Sequence, residues 1–343
     1  LLGTPLSVVA TIVIVFIFFG KILVKTGCGE FFIDLAMAGM GKKRGGAAKI
    51  SIVGSALFGS ISGSAVSNVV TTGVMTIPLM KRSGYSGTQA GAIEAIASTG
   101  GQLMPPIMGA AAFLMVEFIG ISYVEVIKHA FIPAVISYIA LVYIVHLEAL
   151  KKDMPALGEA KPFLRMMINF FVGFAIAGAG FTALIYAMGA LEAGLPTLAG
   201  PIAMFALLAV YIWLVQIASK RPDLEVDDPN ATEIVLPQVK DVYATGLHYI
   251  LPIVVLVWFL MVERQSPAKS AFYATSLMLF IIMTQRPLKA LFRGQADQMM
   301  NEFKASFDDL IAGLIGGARN MIGIGVATAA AGIIVATVTK TPI

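Results

Sequence analysis

From Ile50 to Leu79 the chain carries no charged side chain, yet the middle of this stretch is a run of small residues, Ser60-Ile61-Ser62-Gly63-Ser64. Those two properties leave few folds open. An uncharged apolar stretch of this length belongs in a membrane, but its centre is too polar to face lipid. Its two ends are alike: Lys42, Lys43, Arg44 and Lys49 precede it, and Lys81 and Arg82 follow it. Basic residues collect on the cytoplasmic side of membrane proteins, so both ends are expected there. Ala48–Met80 therefore reads as a re-entrant hairpin. Irregular backbone at membrane depth is tolerated only where protein buries it or it lines a watery cavity, which makes the tip a candidate functional site.

Composition agrees with a membrane class. Of the 343 residues 58% are hydrophobic and only 13% charged, and several apolar runs are long enough to cross a hydrocarbon core about 30 Å thick. The expected fold class is an all-α polytopic integral membrane protein. The net charge of +4 belongs to loop lysines and arginines, since no dense basic tract suggests a nucleic-acid surface. Cys28, the single cysteine, gives neither an internal disulfide nor a metal cluster. Leu1–Phe19 lacks a basic leader and a small-residue cleavage site, so no secretory signal is expected. The chain has no initiating Met and stops at Thr341-Pro342-Ile343, as expected of a fragment.

In order, Leu6–Val24 is the first span, running inward to Lys21 and Lys25. Residues 28–41 form a short interfacial arm helix, and the hairpin (48–80) follows. Thr88–Phe118 (to residue 119 at most) is interrupted by Ser98-Thr99-Gly100-Gly101-Gln102-Leu103-Met104-Pro105-Pro106, where prolines remove donors and glycines lower helix propensity. It reads as a helix broken near mid-membrane. Further spans are expected at Val124–Leu147, Met166–Met188, Thr197–Ala218, Leu247–Val262 and Ser270–Thr284. They are joined by a polar linker at Asp153–Lys161, an external turn at Leu191–Pro196 and a cytoplasmic linker over 220–245. An amphipathic helix over 286–306 is expected along the inner surface, before Leu310–Val338 runs outward. In this layout only Lys128, Arg264, Lys269 and Lys340 lie outside.

The first and last apolar runs echo each other, with Ala10-Thr11 and Lys25-Thr26 in one and Ala327-Thr328 and Lys340-Thr341 in the other. Their expected directions are opposite, and inverted repeats with discontinuous helices mark secondary transporters. Residues 1–122 are read as transport-domain elements of a first repeat. Residues 123–308 are read as scaffold and connecting helices, and 309–343 as the opening span of a truncated second repeat.

The chemistry-bearing residues cluster at the two interruptions. Ser60, Ser62, Gly63 and Ser64 at the tip, with Asn68, Thr71 and Thr72 beyond it, offer hydroxyl, amide and carbonyl oxygens suited to a hard cation such as Na⁺. The following half-helix points its positive end at the tip, which favours a carboxylate. The alternative is packing, because Gly59 and Gly63 form a GxxxG pair. Ser98, Thr99, Gly100, Gly101 and Pro105 at the break carry the same two readings, an opposing half-site or a structural kink. Glu94 is the better candidate for proton or cation coupling; Glu117 lies close to the outer end. His129, His146 and His248 read as interfacial. An enzyme is not expected: an intramembrane serine protease using Ser62 would need a mid-span base, and Ser60 stands where such proteases place glycine. A channel lined by the hairpin is the other alternative.

Three stretches, SALFGSISGSAVSNVVTTG (Ser55–Gly73), TIPLMKRSGY (Thr76–Tyr85) and EAIASTGGQLMPPIMGAAAFLM (Glu94–Met115), resemble the large membrane subunit of tripartite ATP-independent periplasmic (TRAP) transporters, the TAXI-type branch in particular. GARNMIGIGVATAAAGIIV (Gly317–Val335) resembles the helix opening that family's second repeat. The resemblance implies an elevator mechanism in a bacterial or archaeal cytoplasmic (inner) membrane. It implies symport of an organic anion with Na⁺ or H⁺, no other cofactor, a periplasmic TAXI-type substrate-binding protein, and a small membrane subunit, separate or fused. Carried over, Ser60–Ser64 and Ser98–Pro105 become half of the cation and carboxylate site, with Na⁺ placed among Ser62, Ser64, Ser98 and Gly101.

Overall fold

The computed structural model describes residues 3–154, 156, 163–221 and 236–340. Helices account for its regular structure. The first span is α1 (Gly3–Val8) and α2 (Ile14–Lys25), joined without a break by a π-helical turn at Val9–Val13. Gly27, at φ 99°, turns the chain into the arm helix α3 (Cys28–Met40), whose 13 residues are too few to cross a bilayer.

The hairpin consists of α4 (Gly46–Ser62) and α5 (Ala65–Arg82). Gly63 adopts the left-handed conformation that ends a helix at little cost when no Cβ is present (φ 58°). Ser64 is extended, and its hydroxyl accepts the Ser67 N–H at 3.3 Å to start the next helix. The turn is therefore only Gly63-Ser64; Ser60 and Ser62, expected at an open tip, belong to the last turn of α4. Entry and exit come together, since a Cβ on Gly45 would lie 3.0 Å from the Tyr85 hydroxyl.

The broken helix is α6 (Gly87–Gly100), a 3₁₀ turn (Gly101–Leu103), an irregular stretch over 104–109, and α7 (Ala110–Ile119). A capping box between Ser86 and Gln89 starts α6. Ser98 and Thr99, expected in the unwound part, are helical, because the glycines after them keep helical dihedrals and regular helix stops only before the prolines. The Glu117 side chain lies outside the described residues.

The remaining helices are α8 (Tyr123–Lys151), α9 (Phe163–Gly194), α10 (Ala199–Ser219), α11 (Val239–Gly246), α12 (Leu251–Val257), α13 (Pro267–Phe292) and α14 (Met299–Lys340). Six described stretches are long and apolar enough to span: Leu6–Lys25, Tyr123–Lys151, Ala199–Ser219, Val239–Val262, Pro267–Phe292 and Ala296–Ile334.

Three expectations on these helices are corrected. The amphipathic helix over 286–306 does not form. Gly294 (φ 74°) ends α13 in a turn, and Arg293 holds it by donating to the carbonyls of Ser219 (3.1 Å) and Arg221 (2.9 Å). The first half of that stretch closes α13 and the second opens α14. The turn expected at Leu191–Pro196 begins later, because α9 continues to Gly194. The polar linker over 220–245 turns helical at Val239 and runs on into the next span. Residues 222–235, like most of the linker over 153–161, lie outside the described residues.

Two large apolar cores result, beside a small third of Tyr211, Val215 and Ile281 between α10 and α13. One gathers the first span (Phe16, Phe19, Ile22, Leu23), α12 and α13 (Leu256, Met278) and the helix break (Ile107, Met108). The other joins the hairpin arms (Ile50, Ile52, Met80) to α6 and α8 (Ala97, Val145). The arm helix belongs to both, placing Phe31 and Phe32 in the first and Ile33, Ala36 and Met37 in the second.

Candidate functional site

The hairpin arms pair antiparallel, and their facing rungs carry small or hydroxyl residues: Ser51 opposite Thr76, Ser55 opposite Thr72, Gly59 opposite Asn68. Asn68 Nδ2 donates to the Ser55 carbonyl at 2.9 Å, and the Ser55 and Thr72 hydroxyls lie 3.3 Å apart. Both arms present this polar seam to α6.

Glu94 of α6 enters the seam. Its Oε2 accepts from Ser51 Oγ (2.7 Å) and Thr76 Oγ1 (2.5 Å). Its Oε1 accepts from Thr72 Oγ1 (2.5 Å), Ser98 Oγ (3.1 Å) and Ser55 Oγ (3.2 Å). Glu94 and all five hydroxyl residues are fully buried. A carboxylate has about four lone-pair sites, so these hydroxyls saturate it. No lysine, arginine or histidine lies within ion-pair distance of Glu94 among the described residues. Each hydroxyl can also turn and accept. Thr72 Oγ1, for instance, has the Asn68 carbonyl within reach at 2.9 Å as another acceptor for its single proton. The cage can thus serve the acid or the anion, and its oxygens are the donor type a hard cation takes.

Backbone contact brings the break onto the hairpin. A Cβ on Gly101 would lie 2.8 Å from Gly59 Cα, and one on Gly63 would lie 2.7 Å from the Met108 carbonyl oxygen. Ile107 N–H donates to the Ser60 carbonyl at 2.9 Å. The Gly59–Gly63 pair is thus packing, and packing is what unites the two interruptions.

The predicted residues divide accordingly. Asn68, Thr72, Ser98 and Glu94 meet in the cage, with Gly101 packed beside it. Ser60 Oγ is turned back onto the Leu57 carbonyl (2.7 Å), and Ser64 is spent on capping. Thr99 bonds the Ala95 carbonyl (2.7 Å) and, with Gly100, faces α8, where Tyr138 packs against Gly100 and donates to the Ala97 carbonyl at 2.8 Å. Pro105 sits in the irregular stretch, in a cis bond to Pro106. Of the four oxygens assigned to Na⁺, Ser98 points into the cage, Ser64 caps a helix, the Gly101 carbonyl accepts from Met104 N–H at 3.2 Å, and only Ser62 Oγ is buried without a partner. Ser51, Ser55 and Thr76 were missed by reading interruptions alone; the signal was the four-residue spacing of polar side chains along each arm.

The histidines also divide. His129 is exposed beside Glu125 (3.5 Å), and His146 Nδ1 lies 3.2 Å from Lys49 Nζ. His248 is not exposed. It is fully buried, its Nε2 3.2 Å from Gln285 Oε1, while Gln285 Nε2 donates to the Thr26 carbonyl at 3.1 Å. The helix starting at Val239 carries it past the span end and against α13.

Residues 2–216, which contain the whole cage, match the family described as tripartite ATP-independent periplasmic transporter, DctM component. The chain is 27% identical over 145 residues to a putative TRAP transporter large permease protein of Haemophilus influenzae, covering 42% of this chain and 34% of that one. It is 29% identical over 145 residues to the C4-dicarboxylate TRAP transporter large permease protein DctM of Pseudomonas aeruginosa (41% and 33%). Over 201 residues it is 25% identical to the 2,3-diketo-L-gulonate TRAP transporter large permease protein YiaN of Escherichia coli (57% and 45%). The chain spans about a third of the length of the first two. The match over residues 2–216, more than half of the chain, places it in the DctM component family of tripartite ATP-independent periplasmic transporters.

Proposed function

We propose that this chain is the large-permease part of a cation-gradient-driven secondary transporter that imports an organic anion across a bacterial or archaeal inner membrane. A periplasmic binding protein delivers the anion, and a small membrane subunit, separate or fused, completes the permease. The motifs at Ser55–Gly73 and Glu94–Met115 support the TAXI-type branch for that delivery. The relatives' names, for C4-dicarboxylates and 2,3-diketo-L-gulonate, support an anionic cargo. In this reading the hairpin is re-entrant and moves with α6 as the travelling part of an elevator.

The carrying observation is the Glu94 cage: a buried carboxylate with oxygen ligands from three helices and no basic partner among the described residues. A buried carboxylate with hydrogen bonds but no counter-charge still carries a desolvation cost, so binding of H⁺ or Na⁺ there would link cation occupancy to the closed packing of hairpin and broken helix. Residues Ser62 and Gly101 extend the same oxygen-rich seam toward the tip.

The test is uptake into proteoliposomes holding the complete transporter and its binding protein, with a Na⁺ or a pH gradient imposed separately. One gradient is expected to drive uptake in the wild type, and Glu94→Gln is expected to lower the driven rate at least about ten-fold, the scale of one lost charge-assisted interaction. Uptake that survives collapse of both gradients and stops on ATP depletion overturns the reading. Full gradient dependence in Glu94→Gln removes Glu94 from coupling.

A further inference from the structure

We propose that Lys21 is the anion-binding residue of this permease, placed to receive a carboxylate of the cargo beside the hairpin tip. The inference rests on the organic-anion reading above. Lys21 lies within the first apolar run, one turn before its end. Its ammonium donates to Ser67 Oγ at 2.6 Å, in the first turn of α5. The Lys21 stem passes α14 at Gly316, where a Cβ would lie 4.0 Å from Lys21 Cδ. On the hairpin side, a Cβ on Gly20 would lie 3.0 Å from the Ile61 carbonyl oxygen and 3.3 Å from Ser62 Cα. The first span therefore closes directly on the tip, and Lys21 reaches across its near side.

What this arrangement lacks is negative charge. No carboxylate lies within ion-pair distance of Lys21, or of Lys25 one turn further on, among the described residues. An ammonium inside an apolar span is costly until a counter-charge meets it, and Ser67 supplies only a neutral oxygen. The surroundings also favour an anion over a second cation. The N–H groups of Ala65 and Val66 open the 18-residue α5 without a partner among the described residues, at the positive end of the helix. Ser62 Oγ, on a residue only 8% exposed, has no partner either. An incoming carboxylate would thus meet one ammonium, a hydroxyl and free backbone donors on one side of the tip. The Glu94 cage lies deeper in the hairpin, where α6 meets both arms.

The experiment uses the complete transporter in detergent, titrated with straight-chain mono- and dicarboxylic acids and with the methyl ester of each, and read by thermal shift. The acid that shifts the wild type most is then titrated against Lys21→Gln, Lys21→Met, Lys21→Arg and Ser67→Ala. Both neutral variants are expected to weaken acid binding at least about ten-fold, equivalent to the loss of one charge-assisted contact. Lys21→Arg is expected to retain binding, and esters to be indifferent to all four changes. Lys21→Met replaces the ammonium by an apolar side chain suited to the span, so it keeps the test available if Lys21→Gln folds poorly. Acid affinity within about two-fold of wild type in a folded neutral variant overturns the assignment. A wild type shifted by none of the acids overturns the organic-anion reading itself, which is a different result.

Discussion

A carboxylate inside an apolar bundle persists only if something replaces the water it gave up. Around Glu94 the replacement is five hydroxyls on three helices. Glu94 could be singled out in the sequence because an acid is rare in such a stretch, but its partners could not. Serine and threonine are ordinary in membrane helices, and only the register of the two arms shows which ones face α6. Ser98 and Thr99 illustrate the limit, since adjacent residues on a helix point about 100° apart. One enters the cage and the other faces α8. Asp34, on the arm helix, offers a test outside the spans. Burial, reinforced by Glu30, pushes its carboxyl from 3.8 up to about 7. Between those values the folded protein holds a proton that the unfolded chain has released, so stability falls as pH rises through that window and is flat above it. Asp34→Asn removes this cost. The variant should melt about 2–4 °C above the wild type at pH 8, for roughly one kcal/mol, with the gap closing towards pH 4. An unchanged gap across that range would show that Asp34 does not titrate there.

At the scale of elements, small residues decide where helices meet. The Gly59–Gly101 contact is backbone on backbone, and neither strand of chain can yield to a methyl group without moving the helix that carries it. Gly101→Ala should therefore destabilise the hairpin–break pair by about 1–3 kcal/mol, visible as a lower melting temperature in detergent. A melting temperature equal to the wild type would mean that the break does not press on the hairpin. The sequence showed both interruptions, because glycine, proline and hydroxyl runs break an apolar pattern visibly. It misled where polarity was taken for irregularity: Val239–Gly246 is polar yet helical. At residues 286–306 an amphipathic pattern concealed the turn that Gly294 makes.

At the scale of the molecule, the two large apolar cores share the arm helix, α4 and α8. The arm helix connects them, with Gly27 at one end and the Gly45 turn at the other, both in left-handed backbone. The hairpin's two ends also lie side by side, so in a bilayer they should face one compartment. Single cysteines replacing Lys42 and Lys81, both exposed, should react with an impermeant maleimide from the same side of oriented vesicles. Labelling from opposite sides would make Ala48–Met80 an ordinary crossing.

The paired rungs of Ser51 with Thr76 and Ser55 with Thr72 limit how such a molecule can work. Because each rung gives Glu94 one hydroxyl from each arm, sliding α6 along the hairpin would strand a buried acid without its solvation shell. Shear between these three helices would break that shell, so their packing favours displacements that keep the three together.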